Sequence, residues 1–159
     1  MTELTGIIGL AIAKTAELLQ ASTAFQQWVG VENSTDAGKY IAKILSQPLS
    51  GKFVLVTFQS GQWNAKRESG GGGTSAFKHS NEITLIFSDE YSPNDEEGNI
   101  SSDAADEFIN GVDAVIKDME TLSNTGSYIY ISGISMSRPP SLGIDERRIY
   151  CEFSVNIGI

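Results

Sequence analysis

Few residues in this chain are of a type and spacing that could do chemistry. His79 is the one histidine and Cys151 the one cysteine. Zinc needs a cluster of nitrogen and sulfur ligands, and neither residue has a second histidine or cysteine nearby to complete a set. A serine or cysteine nucleophile needs a base beside it. Cys151 instead falls on the apolar side of an alternating stretch, where a cysteine behaves as a small hydrophobe. The segment "GISMS", residues 133–137, lacks the second glycine of a nucleophile elbow. "GGGGTS", residues 70–75, has no lysine after its last glycine and leads into a strand-like segment, whereas a phosphate loop opens a helix. "SPNDEEGN", residues 92–99, suggests calcium. Set in register on Gly98, however, it puts Pro93 at the first ligand position and Ala104 at the twelfth, where acids are required. Carboxylates abound, but on an exposed helix face they keep ordinary pKa values and make poor catalytic acids. The expectation is a protein that is not an enzyme and that binds no cofactor and no metal.

The bulk numbers set the class. The 159 residues are 40% hydrophobic and 19% charged, which fits a single globular domain over 1–159. One cysteine cannot form an internal disulfide, and a reducing compartment follows as the simpler reading. The first 24 residues imitate a signal peptide, but Glu3 makes the leader acidic and Lys14 and Glu17 end the apolar stretch. No apolar run approaches the roughly 20 residues of a membrane span. A soluble, cytoplasmic protein with no membrane partner is expected.

The net charge of −9 is unevenly placed. Asp89 to Glu120 holds eleven acids and one base, Lys117, for −10, whereas the remainder holds nine acids and ten bases, for +1. A nucleic-acid surface would need a basic patch, so sequence-specific nucleic-acid binding is not expected. An acidic block of this kind serves as a solvated face. It also suits a charge-asymmetric subunit that meets a complementary surface.

The elements that would carry these residues can be read from periodicity. Residues 3–20 have an apolar face at helical spacing, and the N-terminal part, 1–47, reads as helical. A second short helix follows the cap Ser22, carries Phe25, Trp28 and Val29, and stops at Gly30. "STDAGKYIAKIL" predicts a third, capped by Ser34 or Thr35 and burying Tyr40, Ile41, Ile44 and Leu45. "KFVLVTFQS" is a strand, apolar on both faces, and "NEITLIFSDEY" is a strand with Ile83, Leu85 and Phe87 on one side. In series, they predict an antiparallel pair. Between them lies "GQWNAKRESGGGGTSAFKHS", residues 61–80, which reads as a mobile loop because consecutive glycines lose the most backbone entropy on ordering. Loops of this length are usually functional or disordered.

The strongest helix, 102–124, is capped by Ser102 or Asp103 and ended by Gly126. Phe108, Val112, Val115, Met119 and Leu122 form its stripe, widened by Ile109 and Ile116, with Asp106, Asp113 and Glu120 opposite. Two strands follow. The first changes phase after Ile131, which predicts a bulge near Ser132–Gly133. The last alternates, with Ile149, Cys151, Phe153, Val155 and Ile157 inward and Arg148, Tyr150, Glu152, Ser154 and Asn156 outward. "PPSLGID" joins them as a projecting loop. The fold class is α+β: an antiparallel sheet over 53–159 packed against helices, with an extended C-terminal hairpin.

Five stretches together, "KFVLVTFQSGQW", "NEITLIFSDEY", the Phe108–Leu122 helix, "YIYISGISMSR" and "RRIYCEFSVNIGI", carry a resemblance. Their order resembles the tail terminator family of long-tailed bacteriophages and the related neck and tail-completion proteins, over most of 53–159. The resemblance implies a structural assembly protein, found in the host cytoplasm during assembly and then in the virion tail. It implies a homo-oligomeric ring, a hexamer, that caps the tail tube protein and joins it to the head–tail connector protein. It also implies that the loop between the first two strands rearranges on assembly, Gly70, Gly71, Gly72 and Gly73 ordering while Lys66, Arg67 and Lys78 reach acids on a neighbour. Asp106, Asp113 and Glu120 on the acidic helix, and Arg147 and Arg148 on the last hairpin, complete the expected assembly contacts. The alternative is a monomeric adaptor that binds another protein through its acidic helix or a sheet edge.

Overall fold

The computed structural model describes residues 7–43, 51–57, 63–69, 75–90, 102–125, 130–143 and 148–158. Helix α1 is Ile7–Ala21 and α2 is Thr23–Val29; α3 is the single turn Ser34–Ala37, continued by a 3-10 turn at Gly38–Tyr40. Strands β1 (Ile41–Ala42), β2 (Phe53–Thr57), β3 (Trp63–Ser69) and β4 (Ser75–Glu90) precede α4 (Ser102–Thr125), and β5 (Tyr130–Gly143) and β6 (Arg148–Gly158) follow it. The fold is α+β, as the periodicities require.

The short helices follow their caps. Ser22 accepts a hydrogen bond from the Phe25 amide at the start of α2. Gly30 ends α2 in the left-handed region, φ 80°, a conformation that favours glycine. At α3 the capping residue is Asn33, whose side chain takes the Asp36 amide, in place of Ser34 or Thr35. The expected third helix does not reach Ile41. Residues 41–42 pair in parallel with Val54 and Leu55 of β2, a tertiary contact that overrides the helical spacing. Ile44 and Leu45 lie outside the described residues.

The sheet order is β1-β2-β4-β6-β5, with β3 also paired to β4. All pairings but β1–β2 are antiparallel. The α1, α2 and α4 helices cover one face and share one core with it. Val54, Val56, Ile83, Leu85, Phe87, Cys151 and Val155 meet Leu19, Phe25, Val115 and Met119 there, all buried. Trp28 is the hub: its ring centroid lies 5.8 Å from Phe87, 6.1 Å from Phe25 and 6.2 Å from Phe108. Burying aromatic side chains of this size dominates the stability of such a core.

The opposite face is not the solvated one that alternation predicts for β6. Arg148, Glu152 and Ser154 are buried there, beside Phe53, Leu55 and Thr84. The bulge falls where the phase change puts it, between Ile131 and Gly133. Two further register shifts, Met136/Arg138 and Arg138/Ser141, carry β5 through Pro139 and Pro140. The start of the expected loop "PPSLGID" is thus strand, Ser141 pairing with Tyr150. The prolines suit an edge strand, which needs no amide on its outer side.

Candidate assembly surface

The segment expected to be a loop is largely a ribbon. Residues 63–69 and 75–81 pair antiparallel in unbroken register, from Trp63↔Asn81 to Ser69↔Ser75. Polar strands without an apolar face give no period-2 signal, so the sequence alone reads as loop here. On β4, pairing with β6 ends at Ser80↔Gly158 and pairing with β2 ends at Thr84↔Thr57. Residues 75–79 therefore pair with β3 alone, and the two strands run on beyond the sheet by about 16 Å at the usual strand rise. The expected contacts Lys66 and Lys78 are register partners, and Arg67 partners Phe77. Gly70, Gly71, Gly72, Gly73 and Arg147 lie outside the described residues.

Helix α4 places Asp106, Asp113 and Glu120 on its exposed side, as helical spacing requires. Asp113 takes the Lys117 ammonium at 2.9 Å, one turn on, and this pair raises the pKa of Lys117. Both partners are largely exposed, so the pair adds little to stability. The stripe Phe108, Val112, Val115, Ile116 and Met119 is buried, but Ile109, read as part of it, is 42% exposed.

Arg148 is not a surface contact. Its Nε donates to Ser88 Oγ at 2.9 Å and its Nη1 to Glu90 at 3.0 Å, while Nη2 reaches the carbonyl of Gly51 and the guanidinium lies 4.8 Å from the centroid of Phe53. This arginine ties β6 to β4 and to the start of β2 from inside the fold. Alternation assigned it to the outward face correctly. It could not show that Arg148 is buried there.

Asp118, which periodicity did not single out, joins two helices. Its Oδ2 accepts from Ser22 Oγ at 2.6 Å and from the Ala24 amide at 3.2 Å. The signal was present as a helix-interior acid off the 106–113–120 line, but its partner lies 96 residues away.

Cys151 is buried, and burial together with the Glu152 charge pushes its thiol up to about 11. Its Sγ donates to the Arg138 carbonyl at 3.6 Å. A neutral buried thiol is a poor nucleophile. Burial also raises the pKa of Asp89, against the pull of Lys52. Among the described residues, no group of three or more histidines, cysteines and acids is placed to hold a metal ion, and no helix is long and apolar enough to cross a membrane.

Between α4 and the β5–β6 hairpin runs an apolar groove of about 180 Å³. Phe108, Val112 and Phe153 are its buried lining, Ile109 and Met136 its exposed lining, and Asp113 stands at its edge. The arrangement offers apolar contact bounded by negative charge.

No family model matches the chain, and no curated protein matches it. Among solved structures, a chain described as part of the virion of a native gene transfer agent particle is similar over 98% of this chain and 100% of that one, with 12% identity and a TM-score of 0.39. A likeness of this strength carries no argument about function.

Proposed function

We propose that the chain is a structural assembly protein of a phage-type tail, a ring-forming subunit of the terminator or tail-completion kind. One observation carries the reading: the β3–β4 ribbon leaves the sheet and holds Lys66, Arg67 and Lys78 beyond the body, while the acidic face of α4 belongs to the body itself. Separate patches of opposite sign on one subunit favour head-to-tail contacts, which close into rings when the rotation allows. The resemblance of the element order to the tail terminator family supports the same reading, and that resemblance implies the partners: further copies of the chain, the tail tube protein and the head–tail connector protein. The ribbon's outer strand edges, which pair with nothing else among the described residues, offer backbone hydrogen bonds to a neighbour.

Negative-stain electron microscopy of the purified chain, alone and mixed with tail tubes, tests this. Closed rings, and rings seated on tube ends, are expected. Featureless monomeric particles that leave the tubes bare would contradict it and favour the adaptor.

A further inference from the structure

The sheet ends at β5, and part of that edge is unprotected. Among the described residues β5 pairs with β6 alone, so its outer backbone groups face no strand. Natural sheets blunt such an edge with charges, prolines and bulges. Here those devices gather in the second half of the strand, at Arg138, Pro139, Pro140 and the register shifts around them. The stretch from Tyr130 to Ser137 holds no charge and no proline. Past the bulge between Ile131 and Gly133, its register runs unbroken from Gly133↔Asn156 to Met136↔Phe153.

Apolar surface lies beside the same edge. Met136 is 53% exposed although its register partner Phe153 is buried, and Ile109 is 42% exposed on the facing helix. Both line the groove between α4 and β5. A helix packed on a sheet buries its apolar stripe only as far as there are strands to meet it. Ile109 and Met136 are the side chains that one further strand beside β5 would cover.

We infer that the β5 edge and the groove together form a docking site for an extended segment of another protein. The segment adds a strand along residues 133–137 and sets one aliphatic side chain between Ile109 and Met136, with a lysine or arginine flanking it on the same face. This surface is separate from the β3–β4 ribbon, and the inference goes beyond the assembly reading. An added strand lies about 4.8 Å from its neighbour and turns every second side chain to one face. Backbone hydrogen bonds then supply affinity, and the pocket for the alternate side chain supplies specificity. An apolar cavity of about 150 Å³ accepts a benzene ring, so a groove of about 180 Å³ has room for one leucine-sized side chain.

Charge selects the occupant. Asp113 lines the groove, and Asp106 stands two turns earlier on the exposed side of the same helix. The two walls, α4 and β5, carry one base each, and both bases are engaged: Lys117 with Asp113 at 2.9 Å and Arg138 with Glu152 at 3.7 Å. A cation on the incoming strand complements the acids of α4. A second copy of the chain does not. Antiparallel pairing of β5 with itself about a two-fold axis would set both α4 helices on one side of the joined sheet, acids turned toward acids.

Hydrogen–deuterium exchange and fluorescence anisotropy on the full chain, with three synthetic peptides, test this. Thr-Lys-Thr-Leu-Thr-Lys-Thr carries its leucine and both lysines on one face of a strand. The second peptide has glutamate for both lysines, and the third is the first with every backbone amide methylated, so that it cannot donate to a ladder. The first is expected to slow exchange in β5 and leave β3 unchanged. The other two are expected to bind at least about tenfold more weakly, as is the first to Ile109→Lys, an exposed substitution whose fold circular dichroism checks. Equal binding of all three peptides, or no slowing in β5, overturns the inference. Slowing in β5 that grows with the concentration of the chain alone assigns the edge to a second copy and overturns it too. Neither result touches the ribbon, so the assembly reading stands or falls separately.

Discussion

Gly111 lies against the indole of Trp28 so closely that a β-carbon there would fall 2.4 Å from Trp28 Cδ1 and 2.9 Å from Nε1. A glycine in mid-helix costs about 1 kcal/mol against alanine, so its presence in α4 reflects the approach of α2. The ring cannot swing away, because Phe25, Phe87 and Phe108 surround it. Gly111→Ala should therefore destabilise the fold by about 1–2 kcal/mol, the overpacking penalty outweighing the gain in helix propensity. Urea unfolding checks the sign; a stabilised variant would mean that the two helices pack more loosely.

Arg148 should be a stability residue. Arg148→Ala removes hydrogen bonds to Ser88, Glu90 and Gly51 and the contact with the Phe53 ring, a loss of about 2–4 kcal/mol. Arg148→Lys should recover less than half of it, since an ammonium cannot reproduce the planar fork. Thermal unfolding of the two variants gives the comparison.

Asp118 and Ser22 should couple. Either Ser22→Ala or Asp118→Ala should cost about 1–2 kcal/mol, through the loss of the α2 cap and of its anchor on α4. The double variant should cost clearly less than the sum, because the first change already removes the shared bond. A double-mutant cycle measures the difference, and strict additivity would show that the bond contributes nothing.

Much of this architecture is legible in the residues themselves. The strict alternation of Ile149–Ile157 placed the inner face of β6, and the phase change after Ile131 placed the bulge, because a half-buried strand has no other way to keep its apolar side inward. Ser22 and Gly30 bounded α2 through local bonding alone. What escaped depended on partners far along the chain. Residues 41–42 join β2 because of where β2 lies, the 63–69 strand has no apolar rhythm to announce it, and Arg148 is buried among partners on β4 and at the start of β2. The groove was hidden for the same reason, since Ile109 and Met136 meet only when α4 settles beside β5. Of the expected assembly contacts, the acidic face of α4 was readable from helical spacing, and the ribbon was visible only as unexplained length.

Cys151 gives a pH signature. Its thiol, normally near 9.0, is raised to about 11 in the fold, so the neutral form is favoured there and its contribution is fully present below pH 9. Stability should decline as the pH rises from about 9 to about 11, where the folded thiol ionises. Alkylation at pH 8 should be far slower than for a free cysteine and should speed up on unfolding. Rapid labelling of the native protein would place the thiol at the surface.

The central claim is that the ribbon makes this chain an assembling subunit. Light scattering coupled to size-exclusion chromatography, run over a wide range of protein concentration at low and high salt, measures it most directly. The mass should rise from the 17.1 kDa of one chain to a fixed whole multiple and fall back as salt screens the Lys66, Arg67 and Lys78 contacts. A mass of 17.1 kDa at every concentration and ionic strength would contradict the account.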